Sequence, residues 1–160
     1  MILAGPIIVG QVSQMLMGLT DSVMIGRVGS VPLAASAFAG TIYGIFFIVG
    51  IGLLLPVAVM VARSRGAGEP KACAQYLRHG AAIAVVFGLL ETVLMLAIGD
   101  HLERFGQPPE VVLEAGTYFK LIAWSLVPTL LFQVFRQFAE SLGHPRIPMV
   151  ELLAAVAVNA

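Results

Sequence analysis

The chain has 160 residues, 59% of them hydrophobic and 11% charged, with a mean hydropathy of +0.95. A soluble domain carries about 25% charged residues, so this composition excludes an ordinary water-soluble fold and points to a protein of the bilayer. Nine Lys+Arg balance nine Asp+Glu, which leaves no basic excess for nucleic acid, and the single Cys73 excludes an internal disulfide or a multi-cysteine metal site.

A bilayer core takes roughly 20 mostly apolar residues per helix. The first expected span covers 4–26. It opens "MILAGPIIVG" with no Lys or Arg before Arg27, so it lacks the charged start of a secretory signal. Its second half, "QVSQMLMGLTDSVMIG", places a carboxylate in an apolar run. A carboxylate at mid-span costs about 2.5–3.5 kcal/mol on insertion scales. At about 100° per residue, Gln11, Gln14, Gly18, Asp21 and Ser22 share one face, and Val12, Met15, Leu16, Leu19 and Val23 another. The polar stripe must therefore face protein or a watery cavity. Asp21 is then either a proton or cation site, or a carboxylate near the outer interface that reaches out of the span. Pro6 either bends this helix or is a comfortable first-turn residue.

The second span is expected over 33–62. Within "SAFAGTIYG", Ser36, Gly40 and Gly44 stand four apart, a spacing that lets helices approach closely. Pro56 reads as a tolerated irregularity. Met15, Met17, Phe38, Tyr43, Phe46, Phe47 and Phe132 suit either a site for apolar ligands or a bundle core. The third span covers 74–98, with Glu91 expected to reach the outer interface. The fourth runs unbroken over 112–138. The fifth covers 147–160 and carries Glu151 near its start and Asn159 near its end. Because "AAVAVNA" stops inside an apolar run, the chain is expected to be a piece of a longer one.

The connections "RVGSVP", "RSRGAGEPK", "GDHLERFGQPPE" and "ESLGHPRIP" are short and rich in Gly, Pro and charge. "GAGEPK" lacks the Gly-Lys-Ser/Thr ending of a phosphate loop. Arg63, Arg65, Lys71, Arg78, Arg136 and Arg146 flank the even-numbered connections, against Arg27, Arg104 and Lys120 on the other side. That bias makes the even connections, and with them the N-terminus, cytoplasmic.

Three stretches carry a family resemblance: "GPIIVGQVSQMLMGLTDSVMIGRVGSVPLAA", "GIGLLLPVAVMVARSRGAGE" and "FRQFAESLGHPRIPM". In this order and spacing the chain resembles the multidrug and toxic compound extrusion family of secondary transporters, over its first four helices and the start of the fifth. The resemblance implies an all-α membrane bundle of twelve helices in two lobes, working by alternating access, with this chain as most of the amino-terminal lobe. It implies export of organic cations and drugs in exchange for H⁺ or Na⁺, by a protein of the bacterial inner membrane that is no enzyme, holds no cofactor and works as a monomer.

Carried over by position, Asp21 and Asn159 match the family's coupling site, with Na⁺ at Asp21 the one metal to consider. Gln14 and Met17 match cavity-facing positions, Gln11 and Tyr43 extend that cavity, and Pro6 matches a proline of proposed bending. Two other functions compete: a flippase for lipid-linked precursors in the same superfamily, and a small membrane subunit that transports nothing.

Overall fold

The computed structural model describes residues 4–143 and 146–159. Every element among them is helical: α1 (Ala4–Val28), α2 (Ser30–Gly66), α3 (Pro70–Gly99), a single 3-10 turn (Leu102–Phe105), α4 (Pro109–Trp124), α5 (Leu126–Ser141) and α6 (Arg146–Asn159). α2 and α3 are each long and apolar enough to cross a membrane, and α4 with α5 makes a third crossing if that bent pair is one span. α1 has 25 residues, enough for about 37 Å of helix, but Gln11, Gln14 and Asp21 dilute its apolarity.

The fourth span is not the continuous helix expected over 112–138. It is two helices bent by 42° at a break at Ser125. Pro128 accounts for the break. It has no N–H to give the carbonyl of Trp124, and its ring crowds that carbonyl. The turn closes with a tighter bond from Ser125 N to Ile122 O, 3.0 Å, before α5 resumes with Thr129 N to Ser125 O, 3.0 Å. Side chains then brace the bend. Tyr43 of α2 donates to Thr129 Oγ1 at 3.2 Å, and Ser125 Oγ lies 3.2 Å from the same phenol and 2.7 Å from Ile122 O. Thr92 of α3 reaches Ala123 O across the gap at 3.1 Å. Pro128→Ala should let the Trp124 carbonyl regain its partner and straighten the span. Spin labels at positions 112 and 138 should move apart by roughly 2–3 Å in electron-resonance distance measurements; an unchanged separation would assign the bend to packing instead of to the proline.

α2 is the centre of the bundle, packed by α3, α4 and α5. Toward the end that holds the 3-10 turn, Ala35, Ala39, Ile42, Met95, Phe119, Ala123 and Leu126 form one core. Leu54, Ala84, Leu130 and Val134 continue it, and Val57, Val61 and Cys73 close the other end. The close helix approaches are not at Gly40 and Gly44, where an added Cβ would meet nothing within 4 Å. They lie one register over, at the buried Ala35 and Ala39, and at Gly80 and Gly88 of α3. A Cβ on Gly80 would sit 2.9 Å from Val57, and one on Gly88 would sit 3.1 Å from the Val127 Cα.

The α2–α3 connection and the end of α5 meet at the same end of the bundle. Arg65 donates to Ser141 O at 3.3 Å, and Ser141 Oγ donates to Gln137 O and to Ala58 O. Gly143, at φ 72, lets the chain pass against the Arg65 guanidinium, where any Cβ would collide. α1 stands apart. It touches α2 more lightly than α6, where Gly10 packs against Leu152.

Candidate functional site: a polar cleft between α1, α2 and α5

The sequence gives α5 a polar face through "QVFRQFAE". Gln133, Arg136, Gln137 and Glu140 recur at helical spacing, so they stack on one side. The fold turns that side toward α1 and encloses a cavity of about 280 Å³. It is lined by Gln11 and Gln14 from α1, Phe47 and Ile51 from α2, and the four α5 residues. Phe47 and Ile51 make one wall apolar. The rest is amide and charge.

Arg136 organises the cleft. Its side chain is only 9% exposed. Nε donates to Glu140 Oε1 at 3.0 Å, one helical turn on, and Nη1 donates to Gln14 Oε1 at 3.4 Å. One guanidinium fork thus holds its counter-ion and tethers α1, a geometry lysine cannot reproduce. A buried cation needs such a partner, because an unpaired charge costs several kcal/mol there. By sequence alone Arg136 counts among the charges flanking the even-numbered connections. The structure corrects this: it belongs to the interior of α5, and the charge bias falls to five against three. The Oε1 atoms of Gln133 and Gln137 are buried and have no hydrogen-bond partner among the described residues. They are acceptors aimed into a polar space, ready for a ligand's N–H or for water.

Gln11 and Gln14 thus line the cleft. Met17 is half-buried one turn beyond Gln14 and does not line it. Asp21 lies two turns past Gln14 along α1 on an exposed stretch, outside the cleft. Its neighbours Thr20 and Ser22 satisfy their hydroxyls within α1, bonding Leu16 O and Gly18 O. Tyr43 is not a lining residue of this cavity; its hydroxyl is committed to the bend of the fourth span. Pro6 falls at the third residue of α1, and its side chain lies outside the described residues. Asn159 is the last residue of α6, and its side chain is likewise outside them. Among the described residues, no group of three His, Cys, Asp or Glu comes together to hold a metal ion.

Glu91 is a second correction. Expected at the interface, it is buried at 2% exposure. Gly50 of α2, across the bundle, leaves it room: a Cβ there would lie 3.2 Å from Glu91 Oε2.

An all-helical lobe, wound around α2 and opened by a polar cleft, is the architecture of a membrane transporter bundle. The MatE family model matches residues 6–160, and the chain belongs to the MatE family. It is 35% identical over 159 residues to "Probable multidrug resistance protein NorM" of Bradyrhizobium diazoefficiens, covering 99% of this chain and 34% of that one. The protein of the same name from Rhizobium meliloti is 30% identical over 155 residues, covering 97% and 33%. Among solved structures, an outward-facing multidrug resistance MATE family transporter of the MOP superfamily aligns with a TM-score of 0.86 at 22% identity, over 97% of this chain and 35% of the other. A MOP superfamily transporter from Pyrococcus furiosus, described as having a binding pocket of reverse polarity, aligns at 0.84 and 22% identity, over 97% and 34%. At that identity the likeness speaks for the fold. The chain spans about a third of the length of the curated relatives it matches.

Proposed function

We propose that the complete protein is a multidrug efflux antiporter, exporting organic cations and drug-like molecules in exchange for H⁺ or Na⁺ by alternating access. The observation that carries this is the pair of polar faces turned toward each other on α1 and α5 inside an apolar bundle. Ionisable residues inside membrane spans are rare, face the bundle interior or a watery cavity, and mark ligand and ion pathways. Family membership and the relatives' printed names point the same way.

In this reading Asp21 and Asn159 belong to the ion site, and Gln11, Gln14, Met17 and Tyr43 to the drug side. Gln11 and Gln14 serve the drug directly, and Tyr43 acts on the cavity through the bend. Pro6 allows α1 to flex. The choice between a proton and a sodium ion at Asp21 stays open in this reading, a sodium ion calling for several oxygen ligands together. The N-terminus is placed in the cytoplasm, in a bacterial inner membrane, and the protein works as a monomer without a cofactor.

Ion binding at Asp21 favours one arrangement of the lobe and drug in the cavity favours the other; each ligand shifts the balance only by its differential affinity. Asp21→Asn in the complete protein should abolish efflux driven by an imposed ion gradient while leaving drug binding within about threefold. Gradient-driven drug uptake into inverted vesicles checks this. Unchanged transport by the variant would overturn the coupling role.

A further inference from the structure

We propose that Glu91 is a proton-exchange site of this lobe, separate from Asp21 and linked to the bend of the fourth span. Both carboxyl oxygens of Glu91 are buried and neither has a hydrogen-bond partner among the described residues. Buried polar atoms are otherwise almost always paired, and each exception calls for an explanation. A carboxylate in such a place would give up its hydration for nothing, whereas the neutral acid forgoes far less.

Among the described residues, the surroundings hold no counter-charge. On α2, Gly50 and Leu54 face this region, and α2 carries no charged residue between Ser30 and Ala62; its Tyr43 hydroxyl is engaged at the bend. On α5, Val127 and Leu130 pack here, while Arg136 and Glu140 are occupied with each other and with Gln14. On α4, Glu110, Glu114, Tyr118 and Lys120 are exposed. On α3 itself, Lys71, Tyr76, Arg78, His79 and Asp100 lie nine or more residues away. Among the described residues no group of three His, Cys, Asp or Glu gathers to hold a metal ion here either, so the ligand that fits is a proton.

The position supplies the coupling. Gly88, one turn before Glu91, packs directly on the backbone of Val127, and Thr92, the next residue, reaches Ala123 O on the far side of the break. The turn of α3 that carries Glu91 therefore touches both arms of the α4–α5 bend, through Gly88 and Thr92. Ionisation transfers the carboxyl proton to water, leaving carboxylate and hydronium. It requires water to enter between α3 and α5, so it requires those helices to part. Such a site deepens the antiport reading by adding a second proton-carrying position, yet it can be tested without transport.

The test uses the complete protein in lipid vesicles. Infrared difference spectra between alkaline and acidic buffer should show a protonated-carboxyl C=O band that Glu91→Gln loses and Asp21→Asn keeps. A spectrum of folded Glu91→Gln indistinguishable from wild type would overturn the proposal. If that variant does not fold, the wild type decides through an apolar carbodiimide, which adds across the O–H of a protonated carboxyl with no leaving group. Mass spectrometry of the His79–Arg104 fragment should then find the adduct on Glu91, declining as pH rises. No adduct there, or a yield independent of pH, would refute it. Loss of the band with gradient-driven efflux intact would retain the site while removing it from the antiport cycle. Loss of efflux in Asp21→Asn alone bears on the coupling site and not on Glu91.

Discussion

Arg136→Leu should cripple the complete protein, lowering its melting temperature by several degrees and, on the proposed antiport function, removing drug efflux. Truncating one partner of a buried ion pair costs roughly 3–5 kcal/mol, because the other charge is left behind. Glu140 keeps 28% of its side chain exposed, so some water can reach it and the loss should fall somewhat below that range, about 2–3 kcal/mol. The informative comparison is Arg136→Leu with Glu140→Leu. An apolar pair of similar volume often matches a buried ion pair in stability, so the double variant should recover most of the melting temperature. It should not recover efflux, because the cleft would have lost both charges and the tether to Gln14. Arg136→Lys should fall between, since one ammonium does not reproduce the fork that serves Glu140 and Gln14 together. Thermal denaturation and efflux assays on the three variants check this; full stability in Arg136→Leu would mean that the pair holds nothing together.

The second large effect concerns Gly88. An alanine there would bring Cβ to 3.1 Å of the Val127 Cα and 3.2 Å of its Cγ2. The first of these is backbone and cannot rotate aside. Overpacking of this kind costs about 1–3 kcal/mol. Gly88→Ala should therefore lower the melting temperature, and Gly88→Leu should prevent the α3–α5 contact from forming. Gly116→Ala is the control. Nothing lies within 4 Å of its Cβ position, so helix propensity alone should make it neutral or stabilising by up to about 1 kcal/mol. If both alanine variants melt alike, α3 and α5 are not as close as described.

The helices were legible because their cause is local. Length and apolarity mark a span, and Gly, Pro and charge mark its ends, so α1, α2 and α3 start and stop close to where the sequence places them. The α4–α5 break was also written locally, in Pro128, but a proline inside an apolar run does not say whether the helix tolerates it. Pro56 shows this: α2 passes through it unbroken. Gln11 and Gln14 could be placed on one face by periodicity, and they do line the cleft. The opposite wall escaped notice because Arg136 and Glu140 looked like charges near a helix end. Their spacing with Gln133 and Gln137 was the available signal. Which helix that face meets is a property of the topology, and no short stretch records it. The same holds for Glu91: a lone glutamate near the end of a span looks interfacial until Gly50 is known to stand across from it.

The loose attachment of α1 has a consequence for how the protein is made. α1 leaves the ribosome before the other described helices, but its broader partner, α6, is the last of them to follow. At about 5–20 residues per second, the interval is on the order of ten seconds. Throughout it, Gln11, Gln14 and Asp21 must wait in or beside the bilayer without the neighbours they will have later. Ser13, Thr20 and Ser22 are already quiet, each bonded to the carbonyl four residues back. Gln14, by contrast, finds its partner on α5, at the Arg136 guanidinium. A nascent α1 is therefore expected to linger at the membrane-insertion machinery, or to be held there by a chaperone, until α5 brings Arg136 to Gln14 and α6 closes against Gly10.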